Sequence, residues 1–204
     1  MSGARRSILR GREALMAVAL TLGTAASAFA HPRQGQAEGF VTGMSHPVSG
    51  LDHVLAMIAV GLWGAQLGPP AIWLLPVTFP IVMAFGGFLA LIGVRLPGVD
   101  LGVALSAVLL GLMVAREAKP PIAAAAVLVG FFAIFHGHAH GSELPAGQSG
   151  LAYSIGFVVA TGCLHGAGIA IGVAHRWTAG KAMLRLAGLT VALAGAAFVW
   201  RALA

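Results

Sequence analysis

Six apolar segments, at about 48 to 67, 70 to 94, 99 to 116, 120 to 140, 150 to 174 and 181 to 202, dominate the chain. The connectors between them, "QLGPP", "RLPGVD", "REAKPP", "SELPAGQSG" and "HRWTAGK", are too short to fold alone. A helix of roughly 20 apolar residues crosses the ~30 Å hydrocarbon core of a bilayer, and these segments have that length. The hydrophobic fraction of 58% exceeds the roughly 45–50% of a soluble domain. The expected fold is therefore all-α: a polytopic membrane helix bundle of about six transmembrane helices, with 31–204 as one integral domain.

Residues 1–30 form a separate unit. Arg5, Arg6, Arg10 and Arg12 precede the apolar run Ala14 to Gly23, and the small-residue site Ala28-Phe29-Ala30 follows. This is the pattern of a cleavable signal peptide, with cleavage expected before His31. Its loss would remove four arginines and Glu13, so the net charge of +6 would fall by three to +3. The remaining cations are scattered singly in connectors and do not form the basic face of a nucleic-acid binder. An outward mature amino terminus leaves Arg116, Lys119, Arg176, Lys181 and Arg185 inside and Arg33, Arg95 and Arg201 outside, in accord with the positive-inside rule. The expected location is the bacterial inner membrane with a periplasmic amino terminus.

With charged residues at only 9%, the ionisable groups at the segment ends stand out. The stretch "FHGHAHGSE" at 135 to 143 places His136, His140 and Glu143 at helical spacings of four and three, so they share one face, while His138 points to the opposite side. Gly137 and Gly141 leave room for another helix to approach closely. The stretch "HPVSGLDH" puts His46 and His53 seven residues apart with Asp52 beside His53; Pro47 leaves His46 either on that helix or in a preceding loop. Asp100 opens the third segment as a ligand or as a helix N-cap. In the orientation above, all of these groups reach one membrane face. His165 lies deeper, as a relay, a ligand or a buried polar contact, and Met57, Met83 and Met113 are expected in packing.

Ionisable side chains in a membrane segment cost ~2.5–3.5 kcal/mol at the bilayer centre and mark a functional site by default. Imidazole and carboxylate without thiolate suit borderline divalent ions such as Ni²⁺, Co²⁺ or Zn²⁺. The single cysteine, Cys163, excludes an intramolecular disulfide.

Two motifs carry a resemblance. One is a histidine followed after five residues by Asp-His, here "HPVSGLDH" continuing "VLAMIAVGLWG"; the other is FHG-x-A-HG-x-E, here "FHGHAHGSE". With "LPGVDLGVALSAVLLGL" and "GFVVATGCLHGAGI", the sequence resembles the HupE/UreJ family of bacterial nickel and cobalt permeases over nearly the whole mature chain. The resemblance implies that His46, Asp52, His53, His136, His140 and Glu143 carry metal recognition and translocation. It also implies a setting in hydrogenase or urease maturation. Asp100 stands where the family usually has Glu, so the carboxylate is kept on a shorter side chain. His138 falls at a variable position of the motif.

The expected function is uptake of a divalent transition-metal ion, nickel or cobalt, through a site of His46, Asp52, His53, Asp100, His136, His140 and Glu143. The metal is cargo; no prosthetic group and no enzymatic activity are expected. The partners are the ion and the lipid bilayer, with no nucleic acid. One competing reading is an intramembrane zinc hydrolase built on the same ligands, although no H-E-x-x-H motif occurs. The other is a haem-binding electron carrier with paired axial histidines.

Overall fold

The computed structural model describes residues 37–143 and 147–204, so the signal peptide expected over 1–30 lies outside the described residues, as do His31 and Arg33. Helices follow one another as α1 (Ala37–Ser49), α2 (Leu51–Leu67), α3 (Ala71–Leu91), α4 (Val99–Ala115), α5 (Ile122–Ser142), α6 (Gly150–Gly172) and α7 (Thr178–Leu203). A 3₁₀ turn, Val173–Arg176, joins α6 to α7. No strand occurs among the described residues.

The breaks follow the chemistry of the connectors. At the end of α2, Gly68 adopts φ 74° and its N–H returns to the Gly64 carbonyl, after which Pro69 and Pro70 cannot continue the helix. Gly98, at φ 68°, turns the chain into α4, so the cap position belongs to this glycine. Asp100 thus falls inside the first turn and is not the N-cap. Its carboxylate still lies near the positive end of the helix dipole.

α3, α5, α6 with its 3₁₀ extension, and α7 are each long and apolar enough to cross a membrane. The expected stretch of about 48 to 67 is α2, and a further helix not expected from the sequence, α1, precedes it at a bend of 83° about Gly50. Ser49 Oγ donates to the His46 carbonyl at 2.6 Å, satisfying an acceptor that the broken helix leaves free. α4, at 17 residues, is a shorter apolar helix.

α2 is the hub, packed against α3, α4, α6 and α7. From Ala56 to Gln66 nearly every residue is buried, with Met57, Val60 and Trp63 fully enclosed, as expected of a helix apolar all round. The main pairings, α3 with α5, α4 with α7 and α2 with α6, are close backbone contacts at glycines. A Cβ on Gly137 would strike the Met83 carbonyl, one on Gly168 the Ile58 carbonyl, and one on Gly111 would lie 2.7 Å from the Gly188 oxygen. In lipid, where acyl tails are as apolar as leucine, such close packing drives helix association. Large hydrophobics such as Trp73, Val127, Leu151, Leu193 and Trp200 cover the outside, as suits a membrane protein.

At the end opposite the histidines, Trp63 Nε1 donates to the Ala118 carbonyl (2.9 Å) and Gln66 Nε2 to that of Val114 (3.2 Å). There Arg185 pairs with Glu117 at 2.9 Å, tying α7 to the α4–α5 connector.

The glycine contacts give a direct expectation. Gly137→Val should force α5 off α3 and lower the stability of the detergent-solubilised protein by at least ~1–3 kcal/mol, read as a fall in unfolding midpoint. Gly162→Ala, where an added Cβ meets nothing within 4 Å, should leave the midpoint unchanged. Equal midpoints for Gly137→Val and the parent would contradict the close-contact account.

Candidate metal centre

The bend at Gly50 folds α1 back so that His46 reaches the carboxyl end of α5. His46 Nε2 lies 2.8 Å from Glu143 Oε2, and its ring centroid is 4.7 Å from that of His140. The His140 ring is in turn 4.5 Å from His53, and His53 is 4.8 Å from His136. Three helices thus contribute one connected file of four imidazoles. Asp52 closes its α2 flank and Glu143 its outer end.

Within this file, one nitrogen each from His46 and His140 and one oxygen of Glu143 lie within 4.8 Å of one another. Tetrahedral ligands with bonds of ~2.1 Å stand ~3.4 Å apart, so side-chain shifts of about an ångström bring the three onto a common ion. The three groups need only side-chain motion, since Glu143 and His46 remain partly exposed.

Hydrogen bonds prepare the deeper imidazoles. Asp52 Oδ1 sits 2.9 Å from His53 Nδ1 and 2.9 Å from the His53 backbone nitrogen. The carboxylate therefore holds the proton on Nδ1 and leaves the His53 Nε2 lone pair turned inward, buried and without a partner among the described residues. Gly50 is required here: a Cβ would lie 2.9 Å from Asp52 Oδ1 and 3.0 Å from His53 Nδ1.

His136 is set by a residue of α4. Ser106 Oγ donates its one proton to the Val103 carbonyl (2.6 Å), so at 2.8 Å it accepts from His136 Nε2–H. The Nδ1 lone pair of His136 is then buried and without a partner among the described residues, as are both ring nitrogens of His140. Orphaned buried nitrogens of this kind are costly unless a ligand meets them.

His140 also lines a cavity of about 150 Å³ between α3, α5 and α6, whose other walls are mostly apolar and include Met83, Phe88, Tyr153 and Phe157. Asp100 shares a cleft with Asp52, the carboxylate on the α2 flank of the imidazole file. It is exposed, and the cleft, of about 260 Å³, is also lined by Ala104, Phe198 and Arg201. His138 turns away as its helical position requires, with Nε2 donating to the Val94 carbonyl at 2.8 Å. His175 bonds to the Gly172 carbonyl at the far end of the bundle (2.9 Å), and Met57 and Met83 pack in the core.

Ser106, Tyr153 and Phe157 escaped the sequence reading. Tyr153 meets the His46 ring at 5.8 Å and Phe157 the His140 ring at 4.2 Å. The only signal for Ser106 was a lone hydroxyl inside an apolar run; that for Tyr153 was a lone tyrosine at the start of one.

Ser106→Ala should weaken Co²⁺ binding ~10–100-fold by freeing the tautomer and ring angle of His136, with little loss of stability because Ala fills nearly the same space. Equilibrium titration of purified protein measures this, and an unchanged affinity would remove Ser106 from the site.

A family model described as HupE / UreJ protein matches residues 18–198. Over 171 residues the chain is 48% identical to Protein HupE of Rhizobium leguminosarum bv. viciae, covering 83% of this chain and 90% of that relative. No solved structure matches significantly. Both histidine motifs lie inside the matched stretch, and on these matches the chain belongs to the HupE/UreJ family.

Proposed function

We propose that the protein is a permease that takes up a divalent transition-metal ion, nickel or cobalt, across the bacterial inner membrane. The observation that carries this reading is one connected ligand file with an exposed end and a buried end. At the outer end the side chains of Glu143 and His46 are 58% and 23% exposed. At the inner end His136 is fully buried, with His140 and His53 between them nearly so. Groups with ligating lone pairs thus lead from solvent into an apolar interior, the arrangement by which an ion exchanges water for protein donors stepwise.

In this reading the histidine end faces outward and α4 is the sixth span, with Asp100 and Asp52 lining a cleft at the mouth. Glu143 and His46 capture the ion, His140 and His53 take it deeper, and His136 receives it on Nδ1. The carboxylates offset its charge. A potential of 100 mV, negative inside, contributes ~2.3 kcal/mol per elementary charge, hence ~4.6 kcal/mol for a divalent ion, so entry needs no nucleotide hydrolysis in this chain. Membership of the HupE/UreJ family, which is associated with nickel and cobalt transport, supports this reading. The hydrolase alternative has no comparable support from the arrangement, since a chain of ligands extended over several side chains serves passage better than a fixed hydrolytic centre.

In proteoliposomes with an inward-negative potential, His140→Ala and Glu143→Ala should each abolish Ni²⁺ and Co²⁺ uptake at equal protein abundance. Uptake at the parent's rate in either variant would refute the assignment.

A further inference from the structure

Below the file described above lies one more buried imidazole. His165 on α6 is 1% exposed, and neither of its ring nitrogens has a hydrogen-bond partner among the described residues. It is separated from His136 by the ring of Phe79, whose centroid lies 5.2 Å from His136 and 5.4 Å from His165. One turn away on the same face of α6, Thr161 is 0% exposed and its hydroxyl is also unpartnered. Two orphaned polar side chains next to each other in an apolar bundle demand an occupant that supplies what the protein withholds.

The backbone of α3 offers a third donor at this level. Pro80 lies inside the helix and has no N–H, so the Pro76 carbonyl lacks the donor it would otherwise meet one turn on. That carbonyl lies near the His165 ring without meeting hydrogen-bond geometry. Freed carbonyls of interrupted membrane helices are suited to coordinating cations, since they present oxygen without the cost of burying another charge. Close helix packing fixes the position: a Cβ on Gly61 of α2 would strike the His165 carbonyl, so α6 is pressed against the hub at this level.

We infer that His165, Thr161 and the Pro76 carbonyl form a second, inner coordination station for a borderline divalent cation, distinct from the outer file and reached past Phe79. The inference rests on the permease reading and extends it, assigning one nitrogen and two oxygen donors to the ion midway through the bundle. An imidazole there matches the donor chemistry of the outer site, so the ion passes between like ligands.

The test is spectroscopic and uses the full chain in detergent. Cys163, exposed on α6, is first replaced by alanine to give a thiol-free parent. His165→Cys in that background then places a thiolate at the proposed station. Titration with Co²⁺ should produce a near-ultraviolet thiolate-to-cobalt charge-transfer band that the parent lacks. His165→Asn should cut Co²⁺ uptake into liposomes at least ~tenfold while Co²⁺ affinity at the outer file stays at the parent's value. If the cysteine variant binds Co²⁺ as the parent does without the band, or if His165→Asn transports at the parent's rate, the inner station is overturned and the outer permease site stands. A parent that binds no Co²⁺ overturns both. Should His165→Cys fail to fold, the uptake of His165→Asn decides alone.

Discussion

The site depends on imidazoles packed edge to edge in an apolar bundle, several of whose ring nitrogens have no partner among the described residues. An unsatisfied buried polar group costs ~1–3 kcal/mol, and His53, His136 and His140 together hold several. A chain tolerates this only where surrounding contacts hold the rings in place. Here those contacts are glycine-to-carbonyl approaches: Gly137 on Met83 and Gly141 on Gly87 press α5 against α3, which fixes the face carrying His136 and His140. Substitution of these glycines would therefore displace the His136 and His140 rings without touching either.

The second constraint is the break at Gly50. A continuous helix through His46 and His53 would set the two rings two turns apart on one face, too far to share neighbours. The 83° bend instead brings His46 across to Glu143 while His53 remains on the buried hub. A single residue without a side chain thus performs two tasks, turning the chain and leaving space for the Asp52–His53 pair.

Much of this was legible in the sequence, and the limits have physical causes. Spans could be read because bilayer thickness imposes a length on apolar segments, and the spacing 136, 140, 143 reads directly as one helical face. His138 was placed correctly on the opposite side by the same periodicity. The α1–α2 bend was not legible, since Pro47 and Gly50 are equally compatible with a loop or a kink. Contacts between helices leave no periodic trace, which is why Ser106 was missed: a hydroxyl in an apolar run acquires meaning only when His136 of another helix is found 2.8 Å away. Asp100 was expected in the ligand set from its position at the start of a segment, and the fold places it in a cleft with Asp52 and Arg201.

The central claim is that imidazole nitrogen of His46 and His140 and carboxylate oxygen of Glu143, from α1 and α5, hold a transition-metal ion at the outer end of the file. X-ray absorption at the metal edge of nickel- or cobalt-loaded protein tests it most directly. The account expects a first shell of nitrogen and oxygen only, with the outer-shell scattering of imidazole rings. A shell containing sulfur, or one of water oxygens without imidazole scattering, would contradict it.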